Sequence, residues 1–496
     1  MAALAKGGRT NTMGFFMRMI ARVPFILIAT RLYGAEALGR FASALVLIEV
    51  VGLICSLGEK RGLAQRLATS GEPGGESEVN LVFDGMALAL VWSAAACLIL
   101  LLFPAPMFPS GMNSPHDLWL IATIPAFALT EIMLAAQAYK YDIATTVRAR
   151  AVVEPWVISI AAGVLFYIAP VRDFGLALAF IVSIFAGLLT AAIPFLRTYG
   201  LPQGWTPSGR AMLAQSNRAL PLIGADAIER GTRLLDIFIL GFFASPVAVG
   251  IYYAAQQIAS LPQKLKTSFE PILSPVITKN LRVGNMAAIA EQVRQVGFWI
   301  IAVQLAVALA LAIPGEAIMG VWGPDYVAGT AALALLLAAE VVASMAVVSE
   351  SVLVYIAKKR NLAISVGVLA LQAGLTIALI LAARAYGLEE GFQAAGAAGA
   401  LFVALAISSF VKALVLKTLL KAPVSNWRWG LVWATGPAVV VGFAATFLPE
   451  WMEIVFGMPA ILAVYGFVLW HRGFEDADRV LFRKNVAPEL PGEQGA

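Results

Sequence analysis

Residues 217–243 read NRALPLIGADAIERGTRLLDIFILGFF, a run long enough to cross the ~30 Å hydrocarbon layer of a bilayer. Within it stand Asp226, Glu229, Arg230, Arg233 and Asp236, at offsets 0, 3, 4, 7 and 10. Those offsets put all five on one face of a helix. A charged residue at mid-membrane costs roughly 2.5–3.5 kcal/mol for insertion, against about −0.3 to −0.6 kcal/mol for each Leu or Ile. The stripe is therefore expected to face a polar cavity or charged partners rather than lipid.

The rest of the chain agrees with a membrane setting. It has 496 residues, 60% hydrophobic and 13% charged, with a mean hydropathy of +0.83; soluble domains do not have that composition. Long apolar runs recur, and only α-helices give such continuous runs. The fold class is an all-α polytopic membrane protein of about fourteen helices, near 12–33, 37–57, 81–103, 118–138, 151–169, 174–196, 217–243, 247–272, 295–313, 328–356, 361–383, 393–416, 430–448 and 458–470. Turn residues such as Tyr33-Gly34, Pro104-Ala105-Pro106 and Ile313-Pro314-Gly315 separate them.

Loop charge orients the spans. One side collects 23 Lys and Arg residues, Lys60, Lys140, Arg282 and Lys358-Lys359-Arg360 among them. The far side holds four: Arg31, Arg40, Arg172 and Arg384. The basic side, with both termini, is read as cytoplasmic. The basic residues are scattered and form no dense block, so the net charge of +5 does not point to nucleic acid. Cys55 and Cys97 lie in apolar segments and His116 and His471 are far apart, so neither pair suggests a disulfide or a metal site. No cofactor motif is present; in particular there is no G-x-x-x-x-G-K-[ST].

The connection RLYGAEALGRFASAL (31–45) resembles GFFASPVAVGIYYAA (241–255). Aligning Gly39 with Gly250 and Phe41 with Tyr252 gives an offset of 211, which lays Arg22 over Arg233. Each of those helices also holds a proline, Pro24 and Pro221, which permits bending. Two six-helix halves running the same way form a parallel repeat. The division expected is 1–200 and 201–425 for the lobes, 426–472 for two additional helices and 473–496 for a cytoplasmic tail.

Several segments together resemble the polysaccharide transporter (oligosaccharide flippase) family of the multidrug/oligosaccharidyl-lipid/polysaccharide exporter superfamily. They are Gly39-x-Phe41 after the Tyr-Gly turn, GIYYAAQQ (250–257), VWGPDY (321–326) and SLGEKRG (56–62). The resemblance implies two six-helix lobes, a central cavity lined largely by the first, second, seventh and eighth helices, and alternating access. It implies an undecaprenyl-diphosphate-linked oligosaccharide as substrate, moved across a bacterial inner membrane. H⁺ or Na⁺ are then the candidate coupling ions, and the polysaccharide polymerase of the same pathway a candidate partner.

The cations suited to a lipid diphosphate are Arg18, Arg22, Arg230, Arg233 and Lys264, since guanidinium binds phosphate oxygens in a bidentate way. Snorkelling to the headgroups is the alternative for Arg18 and Arg22. Asp226, Glu229, Asp236, Glu49 and Glu340 are the candidates for ion coupling. The i, i+4 pairs Asp226–Arg230 and Glu229–Arg233, with Arg233–Asp236 at i, i+3, leave self-neutralisation open. Glu350 is expected to pair with Lys358 or to sit near the interface, Glu154 at a helix start, and the aromatics, including Tyr252 and Tyr326, in the interfacial belt. A multidrug or cation exporter would favour acids over bases in its cavity. A lipid II flippase of the same superfamily fits as well. A membrane glycosyltransferase or polymerase would need a large external loop, and the far-side loops are short.

Overall fold

The computed structural model describes residues 20–69, 77–112, 114–202, 204–206, 216, 219, 223, 231, 233–267, 277, 280–475 and 478. Every regular element among them is helical, and ten helical runs are long and apolar enough to span a membrane. One of these, Ile20–Cys55, has 36 residues. A helix of that length would run ~54 Å, too long for one crossing. Gly34, at φ +82°, breaks it where the Tyr33-Gly34 turn was expected. The two parts are α1 (20–33, closing in the π-helical turn Ala29–Tyr33) and α2 (Gly34–Cys55).

A short helix follows, α3 (Glu59–Thr69); its Leu63 and Leu67 are buried, an amphipathic piece that hydropathy over long windows does not reveal. Then come α4 (Glu78–Leu102), α5 (Thr123–Tyr139), α6 (Ile143–Phe166, with a π-helical turn at Arg148–Val153), α7 (Gly175–Tyr199), α8 (233–243) and α9 (Pro246–Thr267). The chain continues through α10 (Met286–Ala312), α11 (Gly315–Trp322), α12 (Thr330–Ile356), α13 (Lys358–Ala385), α14 (Glu390–Leu420), α15 (Trp429–Ala445) and α16 (Glu450–Gly473).

The chain forms two compact units. One comprises Met1–Gln257, Gly320–Ala332 and Leu369–Ala400; the other Ile258–Met319, Leu333–Val368 and Leu401–Ala496. In the first, α5 is central, packed by α2, α3, α4 and α7. Ile124, Ala128, Ile132 and Ala136, spaced by four, make its fully buried stripe. In the second, α15 and α16 pack on α10 through Phe298, Ile301, Leu431, Ala438 and Tyr465.

Two sets of buried charges are paired, as low dielectric favours. Arg150 joins Glu131 and Glu154 in one triad, 2.7 Å from the Glu154 carboxylate, with Phe127 against its guanidinium at 4.8 Å. Glu154 is thus a partner of Arg150, not merely an acid at a helix start. Glu350 pairs with the buried Lys412 at 3.0 Å, not with Lys358. Tyr252, Tyr253, Trp322 and Tyr326, counted among the belt aromatics, are buried within the protein.

Beyond the last span, Asp478 accepts from the Trp299 indole N–H (2.8 Å), the Arg428 guanidinium (2.6 Å) and the Glu475 backbone N–H (2.9 Å). Burial raises the carboxyl, but these donors outweigh it and hold Asp478 below the usual carboxylate range. A carboxyl depressed in this way adds stability above the ordinary carboxylate range and loses it as pH falls through the folded value. Asp478→Asn is expected to weaken this clasp by about 1.5–3 kcal/mol at neutral pH. Thermal unfolding in detergent should show a lower Tm for the variant, with the gap closing in acid. A pH-independent gap would assign the clasp to packing.

Candidate functional site

The first unit brings α1, α2 and α9 together. Arg22 on α1 is exposed despite lying in a span, and Glu49 on α2 is half-buried. Both act electrostatically on the hydroxyl of Tyr253 in α9, so the three share one polar locus. Neighbouring residues on a helix point about 100° apart. While Tyr253 meets Arg22 and Glu49, Tyr252 therefore turns to α8, where its hydroxyl donates to Asp236.

Asp236 is 0% exposed and also accepts from the Ile237 backbone N–H at 2.9 Å. The expected Arg233–Asp236 pairing is not what holds it; Tyr252 is. One turn along, Gln256 donates to the Arg233 carbonyl at 3.0 Å, tying α9 to α8. Neither the Arg22 nor the Arg233 guanidinium forms an ion pair among the described residues. Glu340 is buried in α12, in the second unit. Lys264 lies on α9, its side chain outside the description; Arg18, Asp226, Glu229 and Arg230 lie outside the described residues.

A second feature of the same unit is a backbone seam near the far-side ends of α2 and α9. A Cβ on Gly39 would overlap the Pro246 carbonyl, and one on Gly250 would overlap the Ala35 carbonyl. Ala35 and Pro246 are themselves 211 apart, so the two contacts are reciprocal under the repeat. Ala35, Gly39 and Ser43 on α2, and Pro246, Gly250 and Ala254 on α9, give the four-residue spacing of small residues that lets membrane helices approach closely.

The reciprocity extends outward. Arg31 donates to the Gly320 and Val321 carbonyls at 3.0 and 2.8 Å, while Ser110 donates to the Gly241 carbonyl at 3.4 Å. Positions 31 and 321 less or plus 211 fall at 242 and 110. All four far-side arginines cap main-chain carbonyls: Arg40 at Ser110, Arg172 at Phe166 and Arg384 at Phe243 complete the set. Sequence reading counted these arginines as a topology signal and missed this use. Their isolation on a side otherwise empty of cations was the available clue.

An all-helical chain with many apolar spans, a glycine-seamed helix pair and, among the described residues, a guanidinium within a span that forms no ion pair fits a membrane transport fold. The chain belongs to the polysaccharide biosynthesis protein family, whose model matches residues 4–281. Among solved structures it is similar to one described as the lipid II flippase MurJ in an inward closed conformation. That match has a TM-score of 0.72 and 11% identity, covering 96% of this chain and 99% of the other. It is also similar to an inward-facing multidrug resistance MATE family transporter of the MOP superfamily (TM-score 0.64, 14% identity, 81% and 94% coverage). The bent form of the Vibrio cholerae MATE transporter VcmN matches at TM-score 0.53 and 13% identity over 85% and 98%. At these identities the likeness is one of fold. No curated protein matches the sequence significantly.

Proposed function

We propose that the protein is a bacterial inner-membrane flippase. It moves an undecaprenyl-diphosphate-linked oligosaccharide, the repeat unit of an O-antigen, capsule or exopolysaccharide, from the cytoplasmic to the periplasmic leaflet by alternating access. The observation that carries this reading is Arg22, a guanidinium exposed within a span, without an ion pair among the described residues, and next to Tyr253 and Glu49. The planar guanidinium fork is suited to a diphosphate. Arg233, which the repeat superimposes on it, supplies the second fork, with Arg18, Arg230 and Lys264 as further cations along the path. The proposed architecture is fourteen spans, in lobes 1–200 and 201–425 plus helices at 426–472, with both termini cytoplasmic.

Lipid II is the second reading, favoured by the likeness to the MurJ fold. A cation exporter is disfavoured because its substrates would meet Arg22 and Arg233. Purified protein in liposomes should translocate undecaprenyl-diphosphate-linked oligosaccharide. Translocation of lipid II alone would transfer the assignment to the second reading, and transport of organic cations without either lipid would overturn both.

Asp236 is the leading candidate for ion coupling, with Asp226, Glu229, Glu49 and Glu340 proposed alongside it. A carboxylate buried at 0% exposure with hydroxyl and amide donors is costly to keep charged without a cation. H⁺ or Na⁺ binding would offset that cost. Asp236→Asn is expected to flatten the pH or Na⁺ dependence of liposome translocation. A dependence identical to wild type would leave Asp236 a structural acceptor for Tyr252.

A further inference from the structure

Arg31 stands in the π-helical turn Ala29–Tyr33 that ends α1, a winding that recurs at functional positions. Its guanidinium is exposed and reaches the end of α11. Nε donates to the Val321 carbonyl at 3.0 Å, and Nη2 donates to the Val321 and Gly320 carbonyls at 2.8 and 3.0 Å. Nη1 has no hydrogen-bond partner among the described residues, and no carboxylate among them pairs with Arg31. Val321 lies in the last turn of α11, where helix geometry leaves carbonyls unfilled, and Pro324, three residues on, has no N–H to offer. The contact thus joins a full positive charge to neutral acceptors.

The segment that Arg31 holds carries unsatisfied donors. Trp322 and Tyr326 are 8% and 1% exposed, and neither the indole N–H nor the phenol O–H finds an acceptor. Between them Gly323 takes φ +142°, a conformation that favours glycine. Buried donors without acceptors cost free energy, so a turn with two of them keeps its place only while other contacts hold it. The Arg31 bonds are such contacts, and they tie the turn to α1.

The repeat supplies an internal comparison. At the offset of 211, Val321 falls on Ser110 and Arg31 on Phe242. There the Ser110 hydroxyl donates to the carbonyl of Gly241, the neighbour of Phe242, at 3.4 Å. One long, neutral bond stands in place of three short, charged ones. Of the two equivalent places, only the Arg31 side presents a charge that an anion can take.

We infer that Arg31 is a far-side latch that a phosphate group releases. A guanidinium gains more from two phosphate oxygens, which match its fork and carry negative charge, than from neutral carbonyls. Its exposure and the remaining Nη1 let a phosphate engage before the carbonyls are released. Once the fork turns to the phosphate, the Val321–Tyr326 turn loses its tie to α1 and its buried donors are freed to find acceptors. For its place in the transport cycle this rests on the flippase reading. Arg31 is nine residues beyond Arg22 on α1, ~13 Å along the axis, so a diphosphate meets it only after leaving the Arg22 locus. The response to phosphate does not itself depend on that reading.

The test uses the full-length protein in phosphatidylcholine nanodiscs, with Cys55→Ala and Cys97→Ala as background. Met319→Cys reports on the end of α11, since Met319 is 0% exposed and precedes Gly320; Ala332→Cys, equally buried beyond the turn, is a second reporter. Inorganic pyrophosphate, or undecaprenyl diphosphate placed in the disc, should raise the rate of labelling by a water-soluble thiol reagent at least tenfold. Potassium chloride at matched ionic strength should not. A response to the lipid alone assigns the phosphate to a headgroup, and a response to pyrophosphate alone assigns it to a soluble ligand. Arg31→Gln should label fast without either probe and respond no further. Arg31→Lys, which keeps the charge and loses the fork, should fall between. Arg22→Ala should respond to pyrophosphate as wild type does. No acceleration in the wild type, equal acceleration in Arg31→Gln, or loss of the response in Arg22→Ala would overturn the latch. A full response in a protein that translocates no lipid-linked substrate would remove the flippase reading and leave the latch standing.

Discussion

Arg22→Ala abolishes translocation of lipid-linked oligosaccharide while membrane insertion and thermal stability stay at wild-type levels. The side chain is exposed and forms no ion pair among the described residues, so its loss strands no buried partner among them; changes at such positions usually fall within about 0.5 kcal/mol. Each charge-assisted hydrogen bond to a phosphate oxygen is worth about 1.5–3 kcal/mol, so losing a bidentate fork predicts at least a tenfold drop in rate. Arg22→Lys keeps the charge and loses the fork, so it should fall between. Arg233→Ala should resemble Arg22→Ala. If both arginines hold one diphosphate, the double variant loses less than the sum of the two singles. Wild-type rates in liposomes for Arg22→Ala and Arg233→Ala alike would sink the diphosphate assignment.

The helical class and most span positions were legible because hydrocarbon thickness imposes a length that composition reports directly. The break at Gly34 was legible too, since Tyr33-Gly34 is a turn signal. The charged stripe was legible only as a face. Which of its members is buried depends on what packs there, and Tyr252, sixteen residues downstream of Asp236, decides it. Glu154 misled for a similar reason: its neighbour in sequence suggested a helix start, whereas its energetics come from Arg150 and, through it, from Glu131 on another helix. Backbone acceptors are invisible to sequence reading. The carbonyls of Val321, Phe243 and Ser110 leave no side-chain mark, so the far-side arginines could be counted but not assigned. The repeat was more informative than the charges, because it aligned two glycines that the structure places in reciprocal contact.

Those glycines carry the second large effect. Gly39→Val and Gly250→Val each drive a side chain into a backbone carbonyl, Pro246 in one case and Ala35 in the other. No rotamer relieves such an overlap, so α2 and α9 must separate. Overpacking costs about 1–3 kcal/mol where side chains can yield, and a rigid carbonyl yields less. On a two-state seam each 1.4 kcal/mol shifts the balance about tenfold, so both variants should hold the far-side ends apart and stop transport. Ser43, buried near Gly241 beside this seam, offers a reporter. With Cys55 and Cys97 replaced, Ser43→Cys should react slowly with an impermeant thiol reagent. In the Gly39→Val or Gly250→Val background it should react at least tenfold faster. Because the contacts are reciprocal, the two substitutions should act alike. Fast labelling with only one of them would show that the halves are not equivalent at the seam, and unchanged labelling with full transport in both would remove the seam from the transport cycle.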